Sequence, residues 1–371
     1  MKITRLETIF VKPRWVILKV RTDEGLVGLG EPTLEGREQT VAAAIQEIGR
    51  YLIGQDPLRI EHHWQAIYRG QFYRGGPILC SALSGIEQAL WDITGKWLGQ
   101  PIYQLLGGAT RERIRLYGWL GGETPEEMAE SARKRVEQGF TVLKMGISGP
   151  INYLDAPALV EINERMVAAV RAAVGPSIQF GIDFHGRCTP TMSIQLAKAF
   201  EPYRPLFIEE PVLPENVDAL VTVARSTSIP VATGERLFTK WGFREVLEKQ
   251  AAAVLQPDLC HAGGILECKK IAAMAECYYA AIAPHCPLGP VALAACLQLD
   301  ACIPNFLAQE HVSLGEGYIK NPFQLTNGQI ALPTTPGLGI ELDEEALADK
   351  IDDGSWDTPR LWHPDGSVAD W

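Results

Sequence analysis

The stretch IQFGID (residues 178–183) is the first of six short apolar runs that each end in a polar residue. The others are PLFIE at 205–209, PVATGE at 230–235, AVLQPD at 253–258, AAIAPH at 280–285 and NFLAQE at 305–310. Their terminal residues, Asp183, Glu209, Glu235, Asp258, His285 and Glu310, are 26, 26, 23, 27 and 25 residues apart. Roughly 25–30 residues make one strand and one helix of a (β/α)8 barrel, whose active site lies where the strands end. The six side chains therefore predict one shared site at a barrel mouth.

Other parts of the chain extend this pattern into a fold class. Two further apolar runs, near 113–118 and 141–145, bring the number of predicted strands to eight, as a closed barrel requires. Before them, alternating strands around a turn at residues 23–25 and helical patterns at 37–53, 58–70 and 77–98 indicate a smaller α+β domain. We predict an α/β protein of the TIM-barrel type with three parts: an N-terminal capping domain (1–111), a catalytic barrel (112–325) and a C-terminal segment that packs back on the cap (326–371).

Composition excludes several classes of protein. The 371 residues carry 34 basic and 45 acidic side chains, a formal net charge of −11, which argues against nucleic acid or an anionic membrane as partner. The eight cysteines are scattered among apolar residues without a CxxC pair, which is typical of a reducing compartment. The start lacks a signal-peptide pattern. We expect a cytoplasmic enzyme with a small-molecule substrate, and a homo-oligomer because barrels of this kind often associate.

Three of the strand-end acids predict a metal site. Asp183, Glu209 and Glu235 would lie side by side, and like charges this close repel unless a cation neutralises them. Ligands that are all oxygen favour one Mg²⁺ per active site, since zinc prefers His or Cys. Two points stay open: Glu210 could face inward in place of Glu209, and without a metal the acids could instead pair with Lys144, Arg187 or Arg236.

Two histidines predict acid–base chemistry. His285 ends strand 7 and could accept support from Asp258 on strand 6, since a carboxylate on one imidazole nitrogen raises the basicity of the other. His185 follows Asp183 by two residues, and strand alternation would point both side chains the same way, opposite strand 7. Glu310 could donate a hydrogen bond to a developing oxyanion if burial keeps it protonated. Lys144 could bind a substrate carboxylate or form a structural salt bridge.

These residues and longer motifs resemble the enolase superfamily, mandelate-racemase subgroup, and over the full length the D-galactonate dehydratases within it. The shared motifs are DEGLVGLGEP, YLIGQDP, FYRGGPIL, GIDFHGR, LQPDLCHAGGI, APHCPLGPVALAACL and the closing SVADW. The resemblance implies that Asp183, Glu209 and Glu235 bind Mg²⁺. It also implies that His185 and His285 are the acid–base pair, that Asp258 supports His285, and that Glu310 stabilises the intermediate.

One departure from the racemases bears on the reaction. They carry Lys-X-Lys at the end of strand 2, where this chain has Lys144-Met145-Gly146 and so lacks the second basic residue. Without that base we expect elimination: His285 removes the C2 proton of a sugar acid, an enediolate forms, and the 3-hydroxyl leaves to give a 2-keto-3-deoxy acid. The resemblance implies that the substrate is D-galactonate. The alternatives are a dehydratase for another aldonate or aldarate, a racemase or epimerase of a 2-hydroxy acid, and a non-catalytic binding protein.

Overall fold

The N-terminal part of the protein is a three-stranded sheet covered by helices. The computed structural model describes residues 1–371. Strands β1 (Ile3–Val11), β2 (Trp15–Thr22) and β3 (Val27–Gly30) pair antiparallel in that order, as the alternating sequence predicted. Helices α1 (Glu38–Leu52), α2 (Ile60–Arg69), α3 (Pro77–Leu98) and α4 (Ile102–Leu105) follow.

Helix α3 is the central element of this domain. Pro77 stands in its first turn, where the missing N–H costs nothing, and Gly99 ends it in the left-handed region with φ of 66°. Asp92, buried on α3, accepts hydrogen bonds from the backbone of Leu29 in β3 and of Leu338 in the C-terminal segment. One carboxylate therefore fastens the helix to both the sheet and the tail.

The second part is a barrel of alternating strands and helices. In chain order its elements are β4 (Arg113–Arg115), β5 (Gly118–Trp119), α5 (Pro125–Glu137), β6 (Val142–Gly146), α6 (Pro157–Val174), β7 (Gln179–Asp183), α7 (Pro190–Phe200), β8 (Phe207–Glu209), α8 (Val217–Ala224), β9 (Val231–Thr233), α9 (Thr239–Glu248), β10 (Val254–Leu255), α10 (Ile265–Glu276), β11 (Ala281–Ile282) and α11 (Pro290–Cys302). Strands β5 to β11 form one parallel sheet in sequence order. Parallel bridges from Phe306 to Ile282 and from Gln309 to Leu116 close it. The predicted barrel class is confirmed.

Two predicted strands differ from the structure in detail. The run at 113–118 divides: β4 leaves the barrel to pair antiparallel with β13 (Gln329–Ala331), itself paired with β12 (Leu325–Thr326), and only β5 joins the parallel sheet. The run at 305–310 contributes bridges but no continuous strand. Pro257, Pro284 and Pro304 lie in or beside the last three runs, and a proline cannot donate to a strand ladder. Pairing there is correspondingly short.

The barrel interior is filled by side chains and is not a channel. One buried apolar cluster takes a residue from each of seven strand runs: Tyr117, Val142, Phe207, Ala232, Val254, Ala283 and Ala308. Such a layer is typical of closed eight-stranded barrels, in which inward side chains of successive strands meet on the axis. Any chemistry must therefore take place above this plug, where the strands end.

The C-terminal segment contacts both domains. It contains α12 (Glu344–Ala348), β14 (Leu361–Trp362) and β15 (Val368–Ala369). Near the cap, Asp352 N–H donates to the carbonyl of Phe10 at 2.9 Å, and the Arg14 guanidinium lies 4.9 Å from the centre of the Trp356 ring. The division into 1–111, 112–325 and 326–371 remains our proposal. No helix is both long and apolar enough to cross a membrane.

Close contact between β3 and α3 gives a stability prediction. A Cβ at Gly30 would lie 1.9 Å from the backbone oxygen of Gly85, so any side chain there must push the strand away from the helix. We expect Gly30→Ala to lower the free energy of unfolding by about 1–3 kcal/mol, the usual cost of overpacking. Urea titration measures this change. Gly121→Ala, where a Cβ would meet nothing within 4 Å, is the matched control, and equal midpoints for the two variants would contradict the prediction.

Candidate active site

The first pair of strand-end acids lies at the mouth of the barrel on neighbouring strands. Asp183 is the last residue of β7 and Glu209 the last residue of β8, and the two are direct partners in the strand register. Glu235 follows β9 by two residues. All three side chains are buried. The spacing seen in the sequence therefore brings the acids to one arc of the mouth.

The structure decides between Glu209 and Glu210. Glu209 accepts a hydrogen bond from Gln256 Nε2 at 2.6 Å and pairs with the ammonium of Lys144. Glu210 has a left-handed backbone, with φ of 41°, which turns its side chain away from that pair. Glu209 is thus the residue that faces the other acids.

Glu210 instead fastens the loop that carries Glu235. Its carboxylate accepts hydrogen bonds from Thr233 Oγ1 at 2.5 Å, from the Gly234 N–H at 3.0 Å and from Arg236 Nη2 at 2.9 Å. These donors directly precede and follow Glu235. Glu210 therefore holds the backbone from which Glu235 projects.

Lys144, on β6, is the cation at the centre of the site. Its side chain is 1% exposed, and its Nζ contacts Glu209 Oε1, Glu310 Oε1 at 3.1 Å and Asp183 Oδ2 at 3.7 Å. It also lies 4.7 Å from the centre of the Trp119 ring. Burial would lower the pKa of Lys144, but the carboxylates outweigh that effect and raise it well above its usual value. In this structure Lys144 thus forms ion pairs with the strand-end acids, and its role toward a substrate stays a prediction.

His285 and Asp258 form the predicted dyad. His285 Nδ1 lies 2.8 Å from Asp258 Oδ2, while the Cys260 N–H donates to Asp258 Oδ1 at 2.6 Å and fixes the carboxylate. His285 Nε2 is directed at Glu235, 3.4 Å from Oε2. Burial opposes a charged imidazole, but Glu235, Glu310 and Asp258 raise the pKa of His285 well above its usual value. Asp258 therefore holds the imidazole in one orientation.

A third member of this chain of contacts escaped the sequence analysis. His261 Nε2 lies 3.7 Å from Asp258 Oδ2, and its Nδ1 lies 2.8 Å from Ser81 Oγ on cap helix α3. Two imidazoles therefore approach the same oxygen of Asp258, and that of His261 connects it to the cap. The available signal was that His261 falls one helical turn after Asp258, in the loop that leads into α10.

Glu310 accepts three hydrogen bonds at the barrel mouth. Its donors are Lys144, Trp119 Nε1 at 3.1 Å and the Cys286 N–H at 2.9 Å. Burial alone would raise its pKa, yet Lys144 and His285 together hold the pKa below the usual value. Its role as a donor to a developing oxyanion stays a prediction.

His185 lies just beyond the strand that carries Asp183. Strand β7 ends at Asp183, and His185 lies beyond it in the left-handed region with φ of 56°, so strand alternation does not set its direction. Its N–H donates to Asp183 Oδ1 at 2.7 Å, and its ring Nδ1 lies 2.5 Å from the main-chain oxygen of Trp371. Burial lowers the pKa of His185, and the Asp183 carboxylate acts against this.

The acid cluster suits a hard divalent cation. No three carboxylate, imidazole or thiol groups are placed to hold an ion together in this structure. One ammonium, that of Lys144, contacts three carboxylates, and Glu235 adds a further buried acid next to His285. Burial and the charge of Asp183 raise the pKa of Glu209 well above its usual value, and burial raises the pKa of Glu235 to about 7. This excess of buried acid, made of oxygen ligands alone, fits Mg²⁺ at Asp183, Glu209 and Glu235.

Comparison with known families covers most of the chain. Residues 6–107 match the model of the mandelate racemase / muconate lactonizing enzyme N-terminal domain, and residues 127–346 match the enolase C-terminal domain-like model. Curated relatives called D-galactonate dehydratase cover 100% of both chains: those from Ralstonia nicotianae and Pectobacterium atrosepticum are 49% identical and that from Variovorax paradoxus is 50% identical.

Solved structures agree with these matches. A mandelate racemase/muconate lactonizing enzyme from Jannaschia sp. CCS1 is 37% identical with a TM-score of 0.91, and the match covers 95% of this chain and 98% of that one. A member of the enolase superfamily from Salmonella Typhimurium is 33% identical with a TM-score of 0.90, with 94% and 98% covered. The whole two-domain arrangement is therefore shared.

Proposed function

Because this chain belongs to the enolase superfamily, we propose that it dehydrates a sugar acid, D-galactonate in particular, to the 2-keto-3-deoxy acid. It is an enzyme of the hydro-lyase class, as are its full-length curated relatives. The observation that carries the proposal is the His285–Asp258 dyad, whose free nitrogen is directed at the buried acid cluster. A strong base beside a cation site is the arrangement needed to remove a weakly acidic proton next to a carboxylate.

In this proposal His285 is the general base. Asp258 accepts the Nδ1 hydrogen bond, so Nε2 is the nitrogen available to take the C2 proton of the substrate. After transfer the imidazolium is stabilised by the carboxylate of Asp258. Asp258 thus acts twice, first by orienting the ring and then by stabilising its charge.

Asp183, Glu209 and Glu235 would hold one Mg²⁺ in each active site. When bound, the ion supplies a Lewis acid that stabilises negative charge on the substrate carboxylate, the usual partner of a Lys or His base in this superfamily. Lys144 is the proposed ligand of that carboxylate, and its three acidic neighbours keep it charged. Glu310 holds Lys144 and, through the Cys286 N–H, the backbone next to His285.

His185 is the proposed general acid for the departing 3-hydroxyl. A lowered pKa makes its imidazolium a stronger acid, while Asp183 nearby favours the charged ring. The two histidines act on different atoms: His285 on the proton at C2 and His185 on the oxygen at C3. Loss of water then gives the enol that tautomerises to the keto acid.

The end of β6 supports elimination over racemisation. Exchange of a proton on both faces of C2 needs a base on each side, and the racemases supply one from this strand. Here the position is Gly146, and a Cβ built on it meets nothing within 4 Å. The strand therefore offers Lys144 for binding and no second base.

A screen of stereoisomeric sugar acids tests the proposal. We expect release of an α-keto acid from D-galactonate in the presence of Mg²⁺, measured by a colorimetric keto-acid assay and by NMR in D₂O. Formation of keto acid from a different aldonate or an aldarate would reassign the substrate. Appearance of deuterated epimers without keto acid would replace the dehydratase by an epimerase.

The role of His185 can be separated from that of His285. We expect His185→Asn to slow formation of keto acid by about 10²–10⁴-fold, the usual contribution of a general acid, while deuterium still enters C2. Both rates come from one NMR time course in D₂O. His62→Asn, an exposed histidine on α2, is the control. Full dehydration activity in His185→Asn would remove this residue from the acid role.

A further inference from the structure

The end of the chain reaches the barrel mouth on the side of His185. Strands β14 and β15 form a small hairpin whose turn is held by its own polar groups: the Asp365 carboxylate accepts from the N–H and the hydroxyl of Ser367. Ala369 in β15 is only 6% exposed, so the hairpin is seated against the protein. Together with the loops after β6, β7 and β8 it borders a cleft of about 850 Å³ at the rim of the mouth, and Gly186 and Arg187, the neighbours of His185, line that cleft.

Trp371 contacts His185 in two ways. Its main-chain oxygen lies 2.5 Å from Nδ1 of the imidazole, and its indole ring packs edge-on against the imidazole, with centres 5.5 Å apart and planes at 85°. This oxygen can only accept, so Nδ1 must carry the proton. No other group in the protein makes a hydrogen bond to this ring, because the remaining contact of His185 with Asp183 uses the backbone N–H. The tail is thus the sole polar partner of the imidazole.

We propose that Trp371 is a positioning residue for His185: its main-chain oxygen holds the proton on Nδ1 and its indole holds the plane of the ring, so that Nε2 is the nitrogen presented to substrate. The role of His185 as general acid comes from the proposed function, on which this inference rests. The contact between Trp371 and His185 is independent of that function. Backbone geometry makes such support necessary, because His185 stands beyond the end of β7 and has no neighbouring strand to fix its side chain. A hydrogen-bond partner on one imidazole nitrogen fixes the tautomer, and this determines which proton transfer the other nitrogen can make.

Variants of the hairpin test whether it orients the His185 ring or only shields the site from solvent. Trp371→Ala removes the indole and loosens the main-chain oxygen, Trp371→Phe keeps an aromatic ring, and Ala369→Glu places a charge at the buried anchor and lifts the hairpin. Trp362→Ala is the matched control, since Trp362 lies in the same hairpin with 56% of its side chain exposed and does not contact His185. Thermal unfolding of each variant verifies that the barrel remains folded.

The first readout needs no substrate. In protein with ¹⁵N-labelled histidine, the ring signals of His185, assigned by their absence in His185→Asn, should show a protected Nδ1–H in the wild type. We expect Trp371→Ala and Ala369→Glu to lose that signal, and Trp371→Phe and Trp362→Ala to keep it. An unchanged Nδ1–H signal in both Trp371→Ala and Ala369→Glu would overturn the proposal.

The second readout is the partition between the two proton transfers. We expect Trp371→Ala to lower dehydration by about 10–100-fold, the usual effect of losing a supporting hydrogen-bond partner, while C2 exchange stays nearly constant. Trp371→Phe should restore most of the lost rate. Equal losses of dehydration and exchange would show that the tail has only a structural role. If the wild type dehydrates no sugar acid, the proposed function fails. The Nδ1–H signal of His185 still tests its contact with Trp371 in that case.

Discussion

His285→Asn is expected to lower dehydration and C2 proton exchange together, each by about 10²–10⁴-fold, because both steps depend on the same general base. Asn preserves the approximate shape and can still donate to Asp258, so the loss measures the missing basic nitrogen. The substitution should not displace Asp258, because the Cys260 N–H holds its carboxylate in place after the imidazole is removed. The measurement is the NMR time course in D₂O, which records keto acid and C2 deuterium in one sample.

His62→Asn again serves as the control for loss of a histidine, and the thermal midpoint of each variant excludes unfolding as the cause. The contrast with His185→Asn is the sharper comparison. That variant should retain C2 exchange, whereas His285→Asn should lose it. Exchange at the wild-type rate in His285→Asn would assign the base to another residue and remove the dyad from the mechanism.

Glu209→Gln is expected to lower the affinity for Mg²⁺ by more than about 100-fold, because even loss of an outer partner of a metal ligand costs 10–100-fold. The variant should fold, since burial already favours a neutral side chain at this position, and Lys144 keeps Asp183 and Glu310 as partners. Isothermal titration with MgCl₂ measures the affinity directly. Keto-acid formation should fall in parallel.

Glu248→Gln makes the same chemical change on an exposed part of α9 and should leave Mg²⁺ binding unaltered. Thermal unfolding adds a second readout, because an ion that binds only the folded protein raises its stability by about 2.7 kcal/mol at a hundred times the dissociation constant. Wild-type binding retained in Glu209→Gln would remove this residue from the ligand set. A wild type without measurable affinity for Mg²⁺ would refute the metal site as a whole.

Periodicity made the barrel predictable. Runs buried on both faces must be apolar throughout, so a polar residue at the end of each is conspicuous, and intervals near 25 residues correspond to one strand and one helix. Neighbouring strands in register then bring Asp183 and Glu209 together, as found. The Asp258–His285 contact followed from the same logic, because adjacent strands end at the same edge of the sheet.

Backbone reversals were not predictable. His185 and Glu210 both adopt positive φ, which no periodic pattern signals in a non-glycine residue, and each reversal redirects the side chain that follows a strand end. The ion pairs of Glu310 were equally hidden. They depend on Lys144 and His285 approaching from two other strands, and spacing along the chain does not contain these distances.

The tail illustrates a third limit. The segment was predicted to pack back on the cap, and Trp356 lies against Arg14 there. Nothing in the motif SVADW specifies that Trp371 lies beside a residue almost two hundred positions earlier. Contacts between distant segments depend on how the whole domain packs. A local sequence pattern can predict that a segment packs on the protein, but it does not identify the residues it contacts.

The ammonium of Lys144 allows the protein to fold before it binds a metal ion. Because it already compensates acids that are hidden from water, the polypeptide does not need to capture a divalent ion during synthesis in order to bury them. Under magnesium starvation we therefore expect folded but inactive protein to accumulate. It should regain activity when the ion returns, without new protein synthesis.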